Sequence, residues 1–70
     1  MERDMKQLFG RHLRKLREAR GLTQSQLAEL VDLSPVTLSD IESGRIEPRF
    51  TMLMKLPEIL GVESKDLFTF

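Results

Sequence analysis

Apolar residues recur along the chain at helical spacing, and Gly and Pro divide the pattern into segments. Phe9, Leu13 and Leu16 fall at i, i+4 and i+7 on one helical face, with Arg11, Arg14, Lys15 and Arg20 mostly off that stripe. Residues 3–20 hold one Gly and no Pro, and Gly21 suits the left-handed residue that ends a helix, so the pattern predicts a first helix over about 4–20. Thr23-Gln24-Ser25-Gln26 has the spacing of a capping box, and Leu27, Ala28 and Val31 follow on one face of a second helix over about 24–31. Asp32 and Leu33 make a turn. Ser34-Pro35 restarts the chain as a third helix, with Ser as cap and Pro at the first helical position. Leu38 and Ile41 point inward, and Gly44 stops the element after Ser43. Two short helices about a tight turn form a helix-turn-helix pattern with its core at about 23–44.

The rest of the chain is helical as well. Residues 45–49 read as a loop with Pro48 opening the next helix, and Phe50, Leu53, Leu56 and Leu60 continue a stripe as far as Gly61. Pro57 lies inside this stripe. It lacks the N–H that would bond the Leu53 carbonyl and clashes with that carbonyl, so a bend is predicted near 53–57. Ser64–Phe68 reads as a last turn of helix. No segment alternates as a strand would, and the fold class is all-α.

Composition narrows the function classes. The chain has 70 residues, the size of one domain over 1–70. It has no Cys, and His12 is its single His, so neither a thiolate zinc site nor a histidine metal site is expected, and no cofactor. No apolar run approaches the ~20 residues that span a bilayer, and the opening MERDMKQ is too charged for a secretory signal, which predicts a cytoplasmic protein. So short a chain leaves little volume for a deep substrate pocket, and no Ser, His and Asp are spaced as nucleophile, base and orienter. An enzyme is not expected.

The net charge of zero hides a polarity. Residues 1–22 hold seven Lys/Arg against three acids, residues 23–44 hold four acids and no Lys or Arg, and residues 45–70 balance. Basic material therefore sits on the first helix and at Arg45 and Arg49. By itself this charge also fits a solvated helix face.

The run FGRHLRKLREARGLTQSQLAELVDLSPVTLSDIESGRIEPRF, followed by LMKLPEILGVESKDLF, resembles the phage-repressor and Cro type of helix-turn-helix domain, the Xre family. The residues that carry the resemblance are Gly21-Leu22-Thr23-Gln24 with Leu27-Ala28, Ile41-Glu42-Ser43-Gly44, Pro48 and Leu60-Gly61-Val62. It implies a compact five-helix bundle that binds duplex DNA, commonly as a dimer, and regulates transcription. The sequence departs from the family pattern at three points. Asp32 stands where the turn residue is usually Gly, Pro57 replaces a small helical residue, and helix 3 carries no Lys or Arg. Asp tolerates a left-handed backbone better than most residues, so the turn is expected to survive.

Carried over residue by residue, the resemblance places helix 3 in the major groove with Pro35, Val36, Thr37 and Asp40 on its reading face. An exposed Val36 can contact a thymine methyl, and Thr37 offers a methyl or a hydroxyl. Asp40 has two readings: it accepts from a cytosine amine, or it stays solvated and repels phosphate. It also lies within a turn of Thr37 and Ser43. Gln24 and Ser43 match phosphate-binding positions, and Arg45 and Arg49 lie in the loop that the family sends to the DNA backbone. Arg17 and Glu42 match a structural ion pair between helices 1 and 3. His12 is expected to be solvated. Leu67, Phe68 and Phe70 crowd the last four residues with apolar surface, which predicts a homodimer through this end on a near-palindromic operator; the alternative is that Phe68 closes the core under the last helix and Phe70 is a frayed end. The chain stops at Phe70, so no attached sensor domain is expected. A phage or plasmid repressor, a restriction-modification controller and an antitoxin all fit. The main rival is a protein-interaction module on the same fold, which would not need Gln24, Arg45 and Arg49 as phosphate anchors.

Overall fold

Four α-helices and one 3-10 helix account for the ordered elements of the computed structural model, which describes residues 4–70. They are α1 (Met5–Ala19), α2 (Gln24–Leu30), α3 (Pro35–Glu42), α4 (Phe50–Leu60) and the C-terminal 3-10 helix (Ser64–Phe68). No strand occurs among the described residues. The fifth helix expected from the sequence is thus a 3-10 turn. Five residues beyond the Gly61 stop are too few for stable α-helical turns, and the tighter i→i+3 geometry suits so short a piece.

The helix starts follow the local chemistry. The Thr23 hydroxyl accepts from the Gln26 amide and the Gln26 side chain accepts from the Thr23 amide, at 3.1 and 2.9 Å, which completes the capping box. Ser34 accepts from the Thr37 amide at 3.1 Å and caps α3, with Pro35 next in the helix. The helix ends share one device. In each, the amide that follows the positive-φ residue reaches back to a carbonyl five residues earlier: Leu22 to Arg17, Leu33 to Ala28, Arg45 to Asp40 and Val62 to Pro57. The device needs a residue of positive φ, and at the α2–α3 turn that residue is Asp32, at φ 59°. The side chain of Asp32 is held by Lys55 of α4 in an exposed ion pair. α4 runs through Pro57 as one helix, Phe50–Leu60, so the proline does not end the element. Only the Leu53 carbonyl loses its in-helix donor, while the Pro57 carbonyl still accepts from Val62 at 2.9 Å.

The core gathers Phe9 and Leu13 of α1, Leu27 and Ala28 of α2, Val31, Leu38 and Ile41 of α3, Met52, Leu56 and Leu60 of α4, and Leu67. Leu67 is 1% exposed, which corrects its assignment to an apolar outer surface. It plugs the core, while Phe68 packs its ring on Phe9, centroids 5.8 Å apart, and stays half-exposed. The 3-10 helix is pinned by His12, whose Nε2–H donates to the Asp66 carbonyl at 2.6 Å. His12 is therefore a structural link between α1 and the C-terminal end rather than a solvated side chain.

Two glycines set how closely α1 meets the end of α3. A Cβ on Gly10 would fall against the carbonyl oxygens of Ile41 and Glu42, 2.8 Å from the Glu42 carbonyl carbon. A Cβ on Gly44 would lie 2.6 Å from Gln7 Cγ, and Gly44 also holds φ 81°. The opposing atoms at Gly10 are backbone and cannot rotate away. Helix propensity alone would make Gly10→Ala stabilising by ~1 kcal/mol. The contact reverses the sign: a loss of about 1–3 kcal/mol is expected from chemical denaturation, because overpacking outweighs propensity. A variant at or above wild-type stability would contradict this packing.

Candidate nucleic-acid interface

α3 is held from behind by a buried ion pair. Arg17 Nε donates to Glu42 Oε2 at 2.7 Å and Nη2 to Glu42 Oε1 at 3.1 Å, a fork-on-fork pair, with side chains 8% and 3% exposed. The third donor, Nη1, reaches the Leu22 carbonyl at 2.8 Å. Gln24 Nε2 adds a bond to Glu42 Oε1 at 3.0 Å. One carboxylate thus joins α1, the first turn of α2 and the last turn of α3. Glu42 sits at the negative end of the α3 dipole, an unfavourable place for an acid, and the Arg17 charge offsets it. Every buried side-chain nitrogen and oxygen among the described residues has a partner. The ion pair implied by the family resemblance is present, and Gln24 extends it.

With Leu38 and Ile41 fully buried, the opposite face of α3 is free. Pro35 is exposed there and Val36 is 71% exposed. Thr37 is half-buried, and its hydroxyl oxygen accepts from Ser34 Oγ at 3.0 Å. Asp40 is half-buried one turn after Val36 on the same stripe. These four residues lie together on one side of one helix.

Of the residues assigned to the DNA backbone, Ser43 and Arg45 are tied to this face. Arg45 Nη1 donates to Asp40 Oδ1 at 3.3 Å, and the Ser43 hydroxyl donates to the Asp40 carbonyl at 3.2 Å. Asp40 therefore has a cationic partner within its own loop. The sequence pattern did not disclose this, since the Gly44 turn is what folds Arg45 back over α3. Gln24 is half-buried, and one of its two amide hydrogens goes to Glu42. Arg49 is exposed as the first residue of the α4 turn, and its side chain makes no cap bond. Arg45, Ser43 and Asp40 are brought together, Gln24 joins the Arg17–Glu42 pair, and Arg49 stands apart at the α4 start.

Among the described residues, no cluster of His, Cys, Asp or Glu could hold a metal ion, and no helix is long and apolar enough to cross a membrane. The exposed side of α3 offers hydroxyl groups, the apolar Val36 and the Asp40 carboxylate, with the Arg45 guanidinium folded beside its C-terminal end. Its rigidity depends on the geometry of the Arg17 fork. Arg17→Lys keeps the charge but not the planar set of three donors, leaving the Leu22 carbonyl or one Glu42 oxygen unpaired. Denaturant unfolding is expected to show a loss of about 1–3 kcal/mol. An unchanged midpoint would mean that charge alone, and not the fork, holds α3.

Comparison with known proteins agrees with this geometry. The helix-turn-helix family model matches residues 13–67. An uncharacterized HTH-type transcriptional regulator of Sinorhizobium fredii is 36% identical over 66 residues, covering 94% of this chain and 86% of the relative. The control protein C.BamHI of Bacillus amyloliquefaciens is 34% identical over 71 residues, covering 100% of this chain and 88% of the relative. The crystal structure of the restriction-modification controller protein C.AhdI of Aeromonas hydrophila superposes with a TM-score of 0.82 at 35% identity, over 90% of this chain and 96% of that one. Other relatives are longer, and the chain spans 32–43% of the length of three of them. The chain belongs to the helix-turn-helix family of transcriptional regulators of the Xre type.

Proposed function

We propose that this regulator reads a near-palindromic duplex operator by laying α3 in the major groove. The observation that carries the reading is Val36. A β-branched apolar side chain is held 71% exposed near the start of a helix whose inner face is fully buried, and whose far end is locked by Glu42. Exposure there has no packing purpose, and a thymine methyl is its natural contact. Pro35, Thr37 and Asp40 complete the base-reading set. Gln24, Ser43, Arg45 and Arg49 hold phosphates. The Arg45 guanidinium reduces the repulsion that Asp40 would otherwise exert on the DNA backbone, so an acid on the reading face is tolerable. The setting is the cytoplasm.

A restriction-modification controller is the context we favour among the family's uses. C.BamHI and C.AhdI are controllers, and both match this chain over nearly all of their own length. A second copy docks through the groove lined by Met5, Pro48, Phe68 and Phe70, the exposed apolar surface at the C-terminal end. Leu67 contributes from the core side by holding the 3-10 helix in place.

Selection of bound sequences from a random duplex pool tests the reading. The expected product is an inverted repeat with half-sites one helical turn apart, ~34 Å. Bound DNA without inverted symmetry would contradict the dimer, and no enrichment would contradict DNA reading altogether.

Titrations with the selected site separate reading from anchoring. Val36→Ala and Thr37→Ala are expected to change base preference by ~1–3 kcal/mol at one or two positions, with little effect on salt dependence. Gln24→Ala and Arg49→Ala are expected to weaken binding to every sequence, and Arg49→Ala to lower the salt slope by about one. Equal losses on every sequence for all four variants would show that α3 is not the reading element.

A further inference from the structure

A cleft of about 310 Å3 opens between α1 and the C-terminal end of α3, lined by Gln7, Arg11, Arg14, Glu42 and Ser43. We propose that this cleft is a further phosphate seat, carried by α1 beside the end of α3, that holds one backbone phosphate of the bound duplex. The proposal rests on the DNA-binding reading above and extends its footprint onto α1.

The walls of the cleft are fixed by packing. Gly10 brings the α1 backbone onto the carbonyls of Ile41 and Glu42, and Gly44 seats Gln7 directly against the end of α3. Arg11 and Arg14 are exposed and frame the opening from α1. Ser43, at the opposite rim, lies seven residues after Val36 on the same side of α3, so this rim adjoins the reading face, while Glu42 closes the cleft from the inner side.

The charges around the cleft favour an anion. Glu42 is the one acid in the lining, and both of its oxygens are occupied by Arg17 and Gln24, so its charge is neutralised from within. Arg14 pairs with Glu18 at 3.2 Å, but the two side chains are 63% and 53% exposed, and such a pair is worth only ~0–1 kcal/mol. A phosphate can therefore replace it. Arg11 has no ion pair among the described residues. Two guanidinium forks from successive turns of one helix, beside the Gln7 amide, form a donor set suited to a phosphodiester, while the Ser43 hydroxyl, whose proton goes to the Asp40 carbonyl, only bounds the cleft. Lys15 does not line this cleft. It borders a neighbouring depression with His12 and Phe70, which meets the cleft at Arg11.

The test compares two charge-matched double variants of the full chain on the selected duplex. Both remove two exposed cations and leave the core untouched. Arg11→Gln/Arg14→Gln empties the seat, and Lys15→Gln/Lys65→Gln removes equal charge elsewhere. Binding is followed by fluorescence anisotropy between about 50 and 200 mM salt. The expected result is a drop of about one in the slope of log affinity against log salt for the arginine variant, with base preference unchanged. The lysine variant is expected to keep the wild-type slope. An unchanged slope in the arginine variant would overturn the seat, and so would equal drops in both variants, which would indicate diffuse charge. A wild-type chain that bound no duplex would overturn the DNA-binding reading along with the seat.

Discussion

A buried carboxylate inside so small a protein is a severe constraint, and Glu42 imposes it at the centre of this fold. An ion taken out of water is tolerable only when its lone pairs are filled and its charge is matched. Here the charge comes from Arg17 of α1 and the remaining bonds from Gln24 at the start of α2. Because Arg17 also holds the Leu22 carbonyl, the turn between α1 and α2 belongs to the same unit. Three helices thus meet at one side chain, and removing any partner leaves an unmatched group in a dry place. The rest of the core can lose a methyl group and relax, but this cluster has no comparable freedom.

The consequence for function is that α3 cannot tilt independently of the scaffold. Its inner residues Leu38 and Ile41 anchor it to the core, Gly10 and Gly44 allow α1 to approach its far end, and Glu42 locks that end. What is left over is an outer stripe from Pro35 to Ser43, with Arg45 folded back over it by the Gly44 turn. A rigid helix with its polar and apolar groups already positioned is what groove reading requires, since each base contact depends on sub-ångström placement. α3 itself carries no Lys or Arg; the nearest cations lie on α1 and in the loop to α4, where the proposed phosphate contacts fall.

Much of this was legible in the sequence because the signals are local. Thr23 and Gln26, Ser34 and Pro35, and the helix stops at Gly21, Asp32, Gly44 and Gly61 act within a few residues of themselves, and each took the role its chemistry suggests. The Arg17–Glu42 pair spans 25 residues and came from family resemblance rather than pattern. Where resemblance was silent, long-range partners were missed. His12 finds the Asp66 carbonyl 54 positions away, and nothing in its neighbourhood signals that. For Asp40 the sequence offers DNA, solvent and its helix neighbours Thr37 and Ser43 as partners, and Arg45 comes within reach only after the turn is folded. Leu67 and Phe68 were grouped as surface on composition. In a 3-10 helix of three residues per turn, adjacent side chains point about a third of a turn apart, so one enters the core and its neighbour does not. Pro57 deprives the Leu53 carbonyl of its in-helix donor without ending α4.

The claim on which this account stands is that Arg17 and Glu42 act as one unit. A double-mutant cycle with Arg17→Met and Glu42→Leu, read by denaturant unfolding of the full chain, tests it most directly. Each single variant leaves a buried charge unmatched and is expected to lose about 3–5 kcal/mol, whereas the double variant is expected to regain most of that loss, because apolar side chains of similar volume can replace both ions. Losses that simply add in the double variant would show that the two residues act separately and that α3 is held by other contacts.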